Sequence, residues 1–298
     1  MMIPFEALAC PLDGAALHRR ENTWQCASGH CFDMSSQGYT HLLPVQKKRS
    51  RDPGDSKEMV ASRRRFLAAG AYDAIARATC QMVLQHVPAG TAISCLDAGC
   101  GEGHYLRSLA AIASTDAKLA LVGLDISKWA VQAAARRDKH MTWLVGSNAN
   151  LPIQSASLDW ILCMFGFPVY AEFARVLKPG GQLVQVDAGP RHLQELREII
   201  YPALKAERKE NGFEPPSFER VDSDALTYSV TLSGAEQIAD LLVMTPHMYR
   251  ANADGLARAK ALTRLAITVD VRLTRYRRAS AQAALQASAK PHSARAEE

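Results

Sequence analysis

Three glycines at alternate positions, Gly99, Gly101 and Gly103, punctuate the stretch Leu96-Asp97-Ala98-Gly99-Cys100-Gly101-Glu102-Gly103-His104-Tyr105. The apolar run Ile93 to Leu96 leads in and reads as a short buried strand; a helical pattern from Tyr105 to Ala113 leads out. A strand, a glycine turn and a helix in that order let backbone approach a ligand with no Cβ in the way. The dinucleotide fingerprint spaces its glycines as G-x-G-x-x-G. Here the third glycine comes one residue early, and an acid, Asp97, precedes the first. Asp97 and Glu102 would repel a pyrophosphate but not a cation. The same turn also serves as a bare strand-to-helix connection, so the rest of the chain has to decide.

From Ile93 onward, strand and helix patterns alternate, which predicts a doubly wound α/β fold with a parallel sheet. Strands are expected at Leu119–Leu124, Met141–Val145, Leu158–Met164 and Gln182–Val186, with helices at Lys128–Arg137, capped by Ser127, and at Val169–Val176. A long charged helix is expected from Leu193 to Lys209, and an antiparallel strand at Ala266–Arg272 closes the sheet. With 298 residues, 48% of them hydrophobic, the chain can bury a substantial core. The expected division is a small module over residues 1–45, a basic linker and two helices over 46–90, the main domain over 91–278 and a disordered tail over 279–298.

The N-terminal module has few apolar residues and needs a staple. Cys10-Pro11-Leu12-Asp13 and Cys26-Ala27-Ser28-Gly29-His30 read as two knuckle turns that together offer four ligands for a structural zinc ion. Asp13 stands where C-x-x-C spacing has a cysteine, and aspartate is a harder ligand than thiolate. Cys31, beside His30, is an alternative donor, although adjacent residues of extended chain point opposite ways. A ribbon that folds without metal fits the same spacing. The seven cysteines, an odd count, suit reduced thiols in a cytoplasm better than a disulfide framework. No run is long and apolar enough to span a membrane, and a charged-then-apolar leader pattern is missing. The net charge of +5 is concentrated at Lys47–Arg51, Arg63–Arg65 and Arg272–Arg278, which are solvated faces or contacts for phosphate.

In an open α/β sheet a ligand lies across the carboxyl ends of the strands. The first such end gives Asp97 and the glycines, and the second gives Asp125, placed to accept hydrogen bonds from ribose hydroxyls. The third gives Ser147, Asn148 and Leu151 for an adenine edge and face; the fourth gives the apolar Met164-Phe165-Gly166-Phe167-Pro168. Taken in order, these favour S-adenosylmethionine (SAM), which carries a sulfonium, an ammonium and no phosphate, over a nicotinamide cofactor.

Together with Ala174-Arg175-Val176-Leu177-Lys178-Pro179-Gly180-Gly181, these segments resemble class I SAM-dependent methyltransferases with a Rossmann-like sheet. Three further groups of residues narrow the resemblance. They are Cys10-Pro11-Leu12 with Cys26, His30, Phe32-Asp33-Met34 and Gly38-Tyr39; Leu42-Leu43-Pro44-Val45-Gln46 with Lys48-Arg49-Ser50-Arg51-Asp52-Pro53-Gly54-Asp55; and Gly189-Pro190-Arg191-His192-Leu193 with Met244-Thr245-Pro246. Over roughly residues 8 to 275 the chain is similar to the bacterial 23S ribosomal RNA guanine-N1 methyltransferases, which carry an N-terminal zinc ribbon. The resemblance implies zinc on Cys10, Asp13, Cys26 and His30, with Asp13 the departure, and SAM contacts at Tyr72, Tyr105, Leu106 and His192. It also implies methylation of guanine N1 in an RNA hairpin loop, by a homodimer.

Guanine N1 carries a proton and lies on the pairing edge, so the base must leave its stack and a group must take the proton. Phe165 and Phe167 are expected to stack on it, and Asp187, at the end of the fifth strand, to accept the proton. The zinc module and Lys47–Arg51 are expected to meet RNA. Two other readings fit the same chain: a small-molecule SAM methyltransferase, and an RNA-binding protein without catalysis.

Overall fold

The computed structural model describes residues 1–47, 50–85, 87–88, 90–113, 116–203 and 214–279. The chain opens with two tight knuckles in which Gly14 N–H bonds Cys10 O at 2.8 Å and Gly29 N–H bonds Cys26 O at 3.0 Å. Both glycines have positive φ, which a Cβ would oppose. Strands β1 (His18–Arg20), β2 (Thr23–Gln25) and β3 (Cys31–Asp33) form a small antiparallel sheet around them. Next comes β4 (Tyr39–His41), which runs parallel beside a strand of the main sheet at Trp143–Val145.

Helix α1 (Lys57–Ala68) starts where Ser56 accepts the Met59 N–H, and α2 (Asp73–Leu84) follows. Then β5 (Ala92–Ala98), α3 (His104–Ile112), β6 (Lys118–Asp125), α4 (Lys128–Arg137), β7 (Thr142–Val145), β8 (Leu158–Met164), α5 (Tyr170–Val176) and β9 (Leu177–Ala188) alternate as the pattern requires. The Ser127 hydroxyl caps α4 at Ala130 N. The charged helix is seen as α6 (Gln194–Ile200), ending at Tyr201, which is extended before Pro202, as a residue preceding proline prefers. The rest of that expected helix, from 204, lies outside the described residues, as do Lys48, Arg49 and the tail from 280.

A strand that the sequence reading did not place, β10 (Phe218–Ser233), comes next, with α7 (Ala235–Met244), α8 (Ala253–Lys260) and β11 (Arg264–Arg278) after it. The two long strands pair antiparallel, and β11 continues antiparallel onto β9.

The eight strands lie in the order β10-β11-β9-β8-β5-β6-β7-β4. Sequence order reverses at β5: β6 and β7 lie to one side of it and β8 to the other. The carboxyl ends of β5 and β8 therefore flank the crevice where such sheets bind ligands. One sheet face carries Phe66, Ile75, Leu106, Leu109, Val131, Leu196 and Leu241 from α1, α2, α3, α4, α6 and α7. The opposite face carries Phe173 and Val176 of α5 together with Leu8, Leu17 and Trp24 from the N-terminal knuckles and strands. Those N-terminal side chains pack against Leu144 and Ile161 in one apolar layer. The small sheet is thus part of the cover of the large one.

Candidate cofactor and substrate site

The floor of the crevice is the glycine turn. All three of its glycines have positive φ. A Cβ on Gly103 would stand 2.4 Å from the Trp143 ring, so that position must be bare for the turn to pack on β7. A Cβ on Gly99 would meet nothing within 4 Å: the space above it is open. Asp97, the last residue but one of β5, is 0% exposed, and neither carboxylate oxygen has a hydrogen-bond partner. Burial, reinforced by the nearby Asp125 charge, pushes its carboxyl up to about 8. A buried acid with both oxygens orphaned is costly unless something cationic meets it.

Asp125 closes β6. One of its oxygens accepts Gly101 N–H at 2.9 Å and the other Ser127 N–H at 2.8 Å, which ties the second strand end to the turn. Its carboxyl is raised, mainly by burial. In the third loop, Asn148 donates to Ala98 O at 3.4 Å while its own carbonyl oxygen is buried without a partner. Leu151 N–H bonds Glu172 at 2.7 Å, and the Leu151 side chain, 2% exposed, sits in the core beneath the sheet. Leu106 likewise packs entirely in the core. Tyr105 is buried too, and burial, Tyr72 and Asp97 together raise its hydroxyl well above the usual range.

An aromatic wall rises opposite. The Tyr72 ring stacks on Phe165 at 5.7 Å, and Phe165 lies 5.6 Å from His192, so Phe165 belongs to this wall, while Phe167 is 89% exposed. Phe165 has φ +53°, a left-handed conformation that a bulky residue adopts only when its surroundings hold it there. His192 is fixed from two sides: Asp270 N–H reaches Nδ1 at 3.3 Å, and Nε2 lies 3.1 Å from the Tyr72 hydroxyl.

Asp270 and Gln185 were not singled out from sequence, and Arg63 was named only within the basic cluster Arg63–Arg65. Asp270 also accepts from Arg191 N and from Thr227, so it anchors the Gly189–His192 turn to β11. A Cβ on Gly189 would collide with its carboxylate at 2.5 Å. The signal for Asp270 was there: it is the lone charge within Ala266–Val271, an otherwise apolar and hydroxyl-bearing run. Asp187, the expected proton acceptor, stands at the end of β9, open to solvent on one side and covered by protein on the other. It accepts a hydrogen bond at 2.7 Å from Gln185, which accepts one at 2.9 Å from the Tyr170 hydroxyl.

In the N-terminal knuckles, Cys10, Asp13, Cys26 and His30 bring one ligand atom each to within 4.8 Å of one another. Four of these separations are His30 Nδ1 to Asp13 Oδ2 at 3.2 Å, to Cys26 Sγ at 3.4 Å and to Cys10 Sγ at 3.5 Å, and Cys26 Sγ to Asp13 Oδ2 at 3.6 Å. Ligands at ordinary zinc bond lengths on a tetrahedron stand roughly 3.3–3.8 Å apart. The set fits a structural zinc ion, with the aspartate oxygen completing it. Cys31 is exposed, with its thiol turned to Gly29 O, outside that group.

Residues 8–51 match the family model described as RlmA, N-terminal, a zinc ribbon, and residues 95–181 match that described as a methyltransferase domain. A candidate 23S rRNA (guanine-N(1)-)-methyltransferase of Micromonospora griseorubida is 31% identical over 298 residues, covering 91% of this chain and 97% of that protein. The chain belongs to the 23S rRNA guanine-N1 methyltransferase family. Similar to it as well are a candidate enzyme of the same name from Bacillus subtilis, 29% identical with 90% of this chain and 96% of that protein covered, and the 23S rRNA (guanine(748)-N(1))-methyltransferase of Streptomyces fradiae, 29% identical with 84% and 89% covered. Membership of this family brings SAM as the cofactor. The ribbon match accounts for the four-ligand cluster.

Proposed function

We propose that this chain methylates N1 of a guanine in a hairpin loop of 23S ribosomal RNA, with SAM as methyl donor. The observation that carries the reading is that ribbon and methyltransferase sheet are one packed unit. The metal-binding knuckle is bonded to the cofactor loop, with Asn150 donating to Pro11 O at 3.4 Å and Ala9 N–H to Pro152 O at 3.0 Å. A small-molecule methyltransferase has no use for such a ribbon, and an RNA scaffold has none for an orphaned acid beside an open glycine turn.

When bound, SAM supplies an already activated methyl group whose sulfonium leaves as a neutral thioether. The residues assigned to hold it are Tyr72, Asp97, Gly99, Gly101, Gly103, Tyr105, Leu106, Asp125, Asn148, Leu151 and His192. Asp97 meets the positive end and Asp125 the ribose, while Leu106, its side chain in the core, contributes backbone. Much of the rate comes from positioning. The wall of Tyr72, Phe165 and His192 keeps water from the methyl group, and Phe167 is free at the rim to stack on a guanine drawn out of the RNA. Asp187 takes the N1 proton, and Gln185 holds that carboxylate in place.

Zinc on Cys10, Asp13, Cys26 and His30 shapes the ribbon for RNA, and Lys47 and Arg51 contact phosphate. The chain acts as a homodimer in the cytoplasm; among the described residues no helix is long and apolar enough to cross a membrane. Mass mapping of methylated guanine in 23S rRNA, with and without the protein, tests the reading. N1-methylguanine should appear at one loop position only when protein and SAM are both present. Unmodified RNA under those conditions sinks it.

A further inference from the structure

The glycine turn also has a cation over it. Helix α1 buries Val60, Phe66 and Leu67, and Arg63, one turn from Val60 and from Leu67, leans to that side. Its Nη1 donates to the Asp55 carboxylate and its Nη2 to Met244 O at 3.2 Å. A Cβ on Gly101 would lie 3.7 Å from Arg63 Nη1 and 3.8 Å from its Cδ, the two nearest atoms to that position. The turn is therefore open above Gly99 and roofed by a guanidinium above Gly101.

Asp55, which orients that guanidinium, is itself anchored. Its carbonyl accepts the Ser127 hydroxyl at 2.7 Å, and Gly54 lies so close to the end of β6 that a Cβ there would stand 2.8 Å from Ile126 Cγ2. The segment before α1 is in this way pinned beside Asp125. A guanidinium carries five N–H donors, and the two contacts above leave others to aim at the turn. Burial raises the titration of Asp125, Tyr72 and Tyr105, and the Arg63 charge offsets part of that rise at all three, so it lies near each of them.

On one side of this turn is a buried carboxylate with no partner, and on the other a guanidinium fork. That pair matches a ligand end carrying both an ammonium and a carboxylate. We propose that Arg63, positioned by Asp55 and Met244 O, binds the α-carboxylate of the methionyl end of SAM while Asp97 faces its ammonium. The inference rests on the SAM reading above and adds a residue that neither the strand ends nor the resemblance assigned. Arginine is suited to it, because its planar fork matches a carboxylate with two parallel hydrogen bonds.

Two probes separate the carboxylate contact from everything else. S-adenosylhomocysteine keeps the amino-acid end, and 5′-methylthioadenosine lacks it. Calorimetric titration of the full chain should find both bound by the wild type, with Arg63→Met weakening S-adenosylhomocysteine by about 10–100-fold, the range for a charge-assisted hydrogen bond, and methylthioadenosine by about twofold at most. Arg63→Lys, which keeps the charge and loses the fork, should fall between. Equal loss of both ligands would make Arg63 a brace for the fold, and an unchanged S-adenosylhomocysteine affinity would remove it from the pocket; either overturns the proposal. If Arg63→Met does not melt cooperatively, Arg63→Lys decides by the same ratio. A wild type that binds neither probe overturns the SAM reading and this inference with it.

Discussion

The Tyr72 hydroxyl stands 3.1 Å from Nε2 of His192, whose Nδ1 accepts the Asp270 N–H at 3.3 Å. A ring nitrogen that accepts from a backbone amide carries no proton, so the proton sits on Nε2 and is donated to the Tyr72 oxygen. The imidazole is neutral, and burial lowers its pKa to about 4, well below the unfolded value of about 6.5. Between those values the unfolded chain binds the extra proton. The associated stability is full above about pH 6.5 and is lost as pH falls through about 4. The melting temperature of the wild type should therefore fall more steeply over that window than that of His192→Gln. Superimposable curves would show that the ring is charged in the folded protein.

Asp97 titrates the other way. Its carboxyl is raised to about 8, so the folded chain holds a proton that the unfolded chain releases near pH 4. Stability contributed by the protonated acid is complete below the unfolded value and is lost as pH rises through about 8. A cationic ligand requires the ionised form. Below pH 8 SAM binding should release a proton, seen as a calorimetric heat that depends on the buffer's ionisation enthalpy, and affinity should tighten as pH rises toward 8. Asp97→Asn should weaken SAM by about 10–100-fold while melting no lower than wild type at pH 8. Loss of stability together with binding would make Asp97 a structural acid.

How much of this could be read from the chain depends on how local each cause is. The strands β5, β6 and β8 were legible because parallel strands covered on both faces are continuous apolar runs. Asp97 and Asp125 were legible because a strand end can be located without knowing its neighbours. β10 was not: most of its side chains are exposed or half-buried along a sheet edge, and what holds it is β11, more than thirty residues on at its closest pairing. β4 is three residues long, too short for a period to show. The side chains that fix the site follow the same rule. His192 depends on Asp270, 78 residues away, and Arg63 on Met244, 181 away. No spacing within a helix or strand encodes either pairing.

The ribbon's metal should be felt in the cofactor pocket. Beyond the Asn150 and Ala9 bonds, Gln154 donates from its backbone to Ala7 O at 2.9 Å and from its side chain to Leu8 O at 3.1 Å, just past the loop that carries Asn148 and Leu151. Stripping zinc with a chelator should lower the melting temperature and weaken S-adenosylhomocysteine binding severalfold, and restoring zinc should reverse both. Asp13→Cys should hold the ion at chelator concentrations that empty the wild type, since thiolate is the softer ligand, and Asp13→Ala should lose it. Equal zinc retention by all three proteins would remove Asp13 from the site.

Lys47 and Arg51 are exposed, and the Lys47 charge is among those that hold down the titration of Glu172, the residue bonded to Leu151 N–H. The basic segment thus borders the cofactor loop, where RNA must approach. Replacing Lys47 and Arg51 by Gln should flatten the dependence of log affinity on log salt by about 1.4 for single-stranded RNA, or about 0.7 per phosphate contact. SAM affinity should stay within about twofold, because neither side chain is assigned to that pocket. A slope that does not move rejects the phosphate role.

The proton acceptor can be tested through the residue that holds it. Desolvation by the surrounding protein raises the Asp187 carboxyl above its ordinary value, and the Gln185 N–H, donated at 2.7 Å, pulls it back by stabilising the ionised form. Gln185 cannot turn away easily, because its carbonyl oxygen is occupied by the Tyr170 hydroxyl. If Asp187 takes the guanine proton, the single-turnover rate should fall as pH drops through that raised value. Asp187→Asn should abolish this acid limb and cost about 10²–10⁴-fold in rate. Gln185→Leu should keep the limb but shift it to higher pH, since the carboxylate then loses a donor that favours its charge. A brace with no part in proton transfer would change the rate at every pH alike. A limb that stays put in Gln185→Leu, or that survives in Asp187→Asn, assigns the proton to another group.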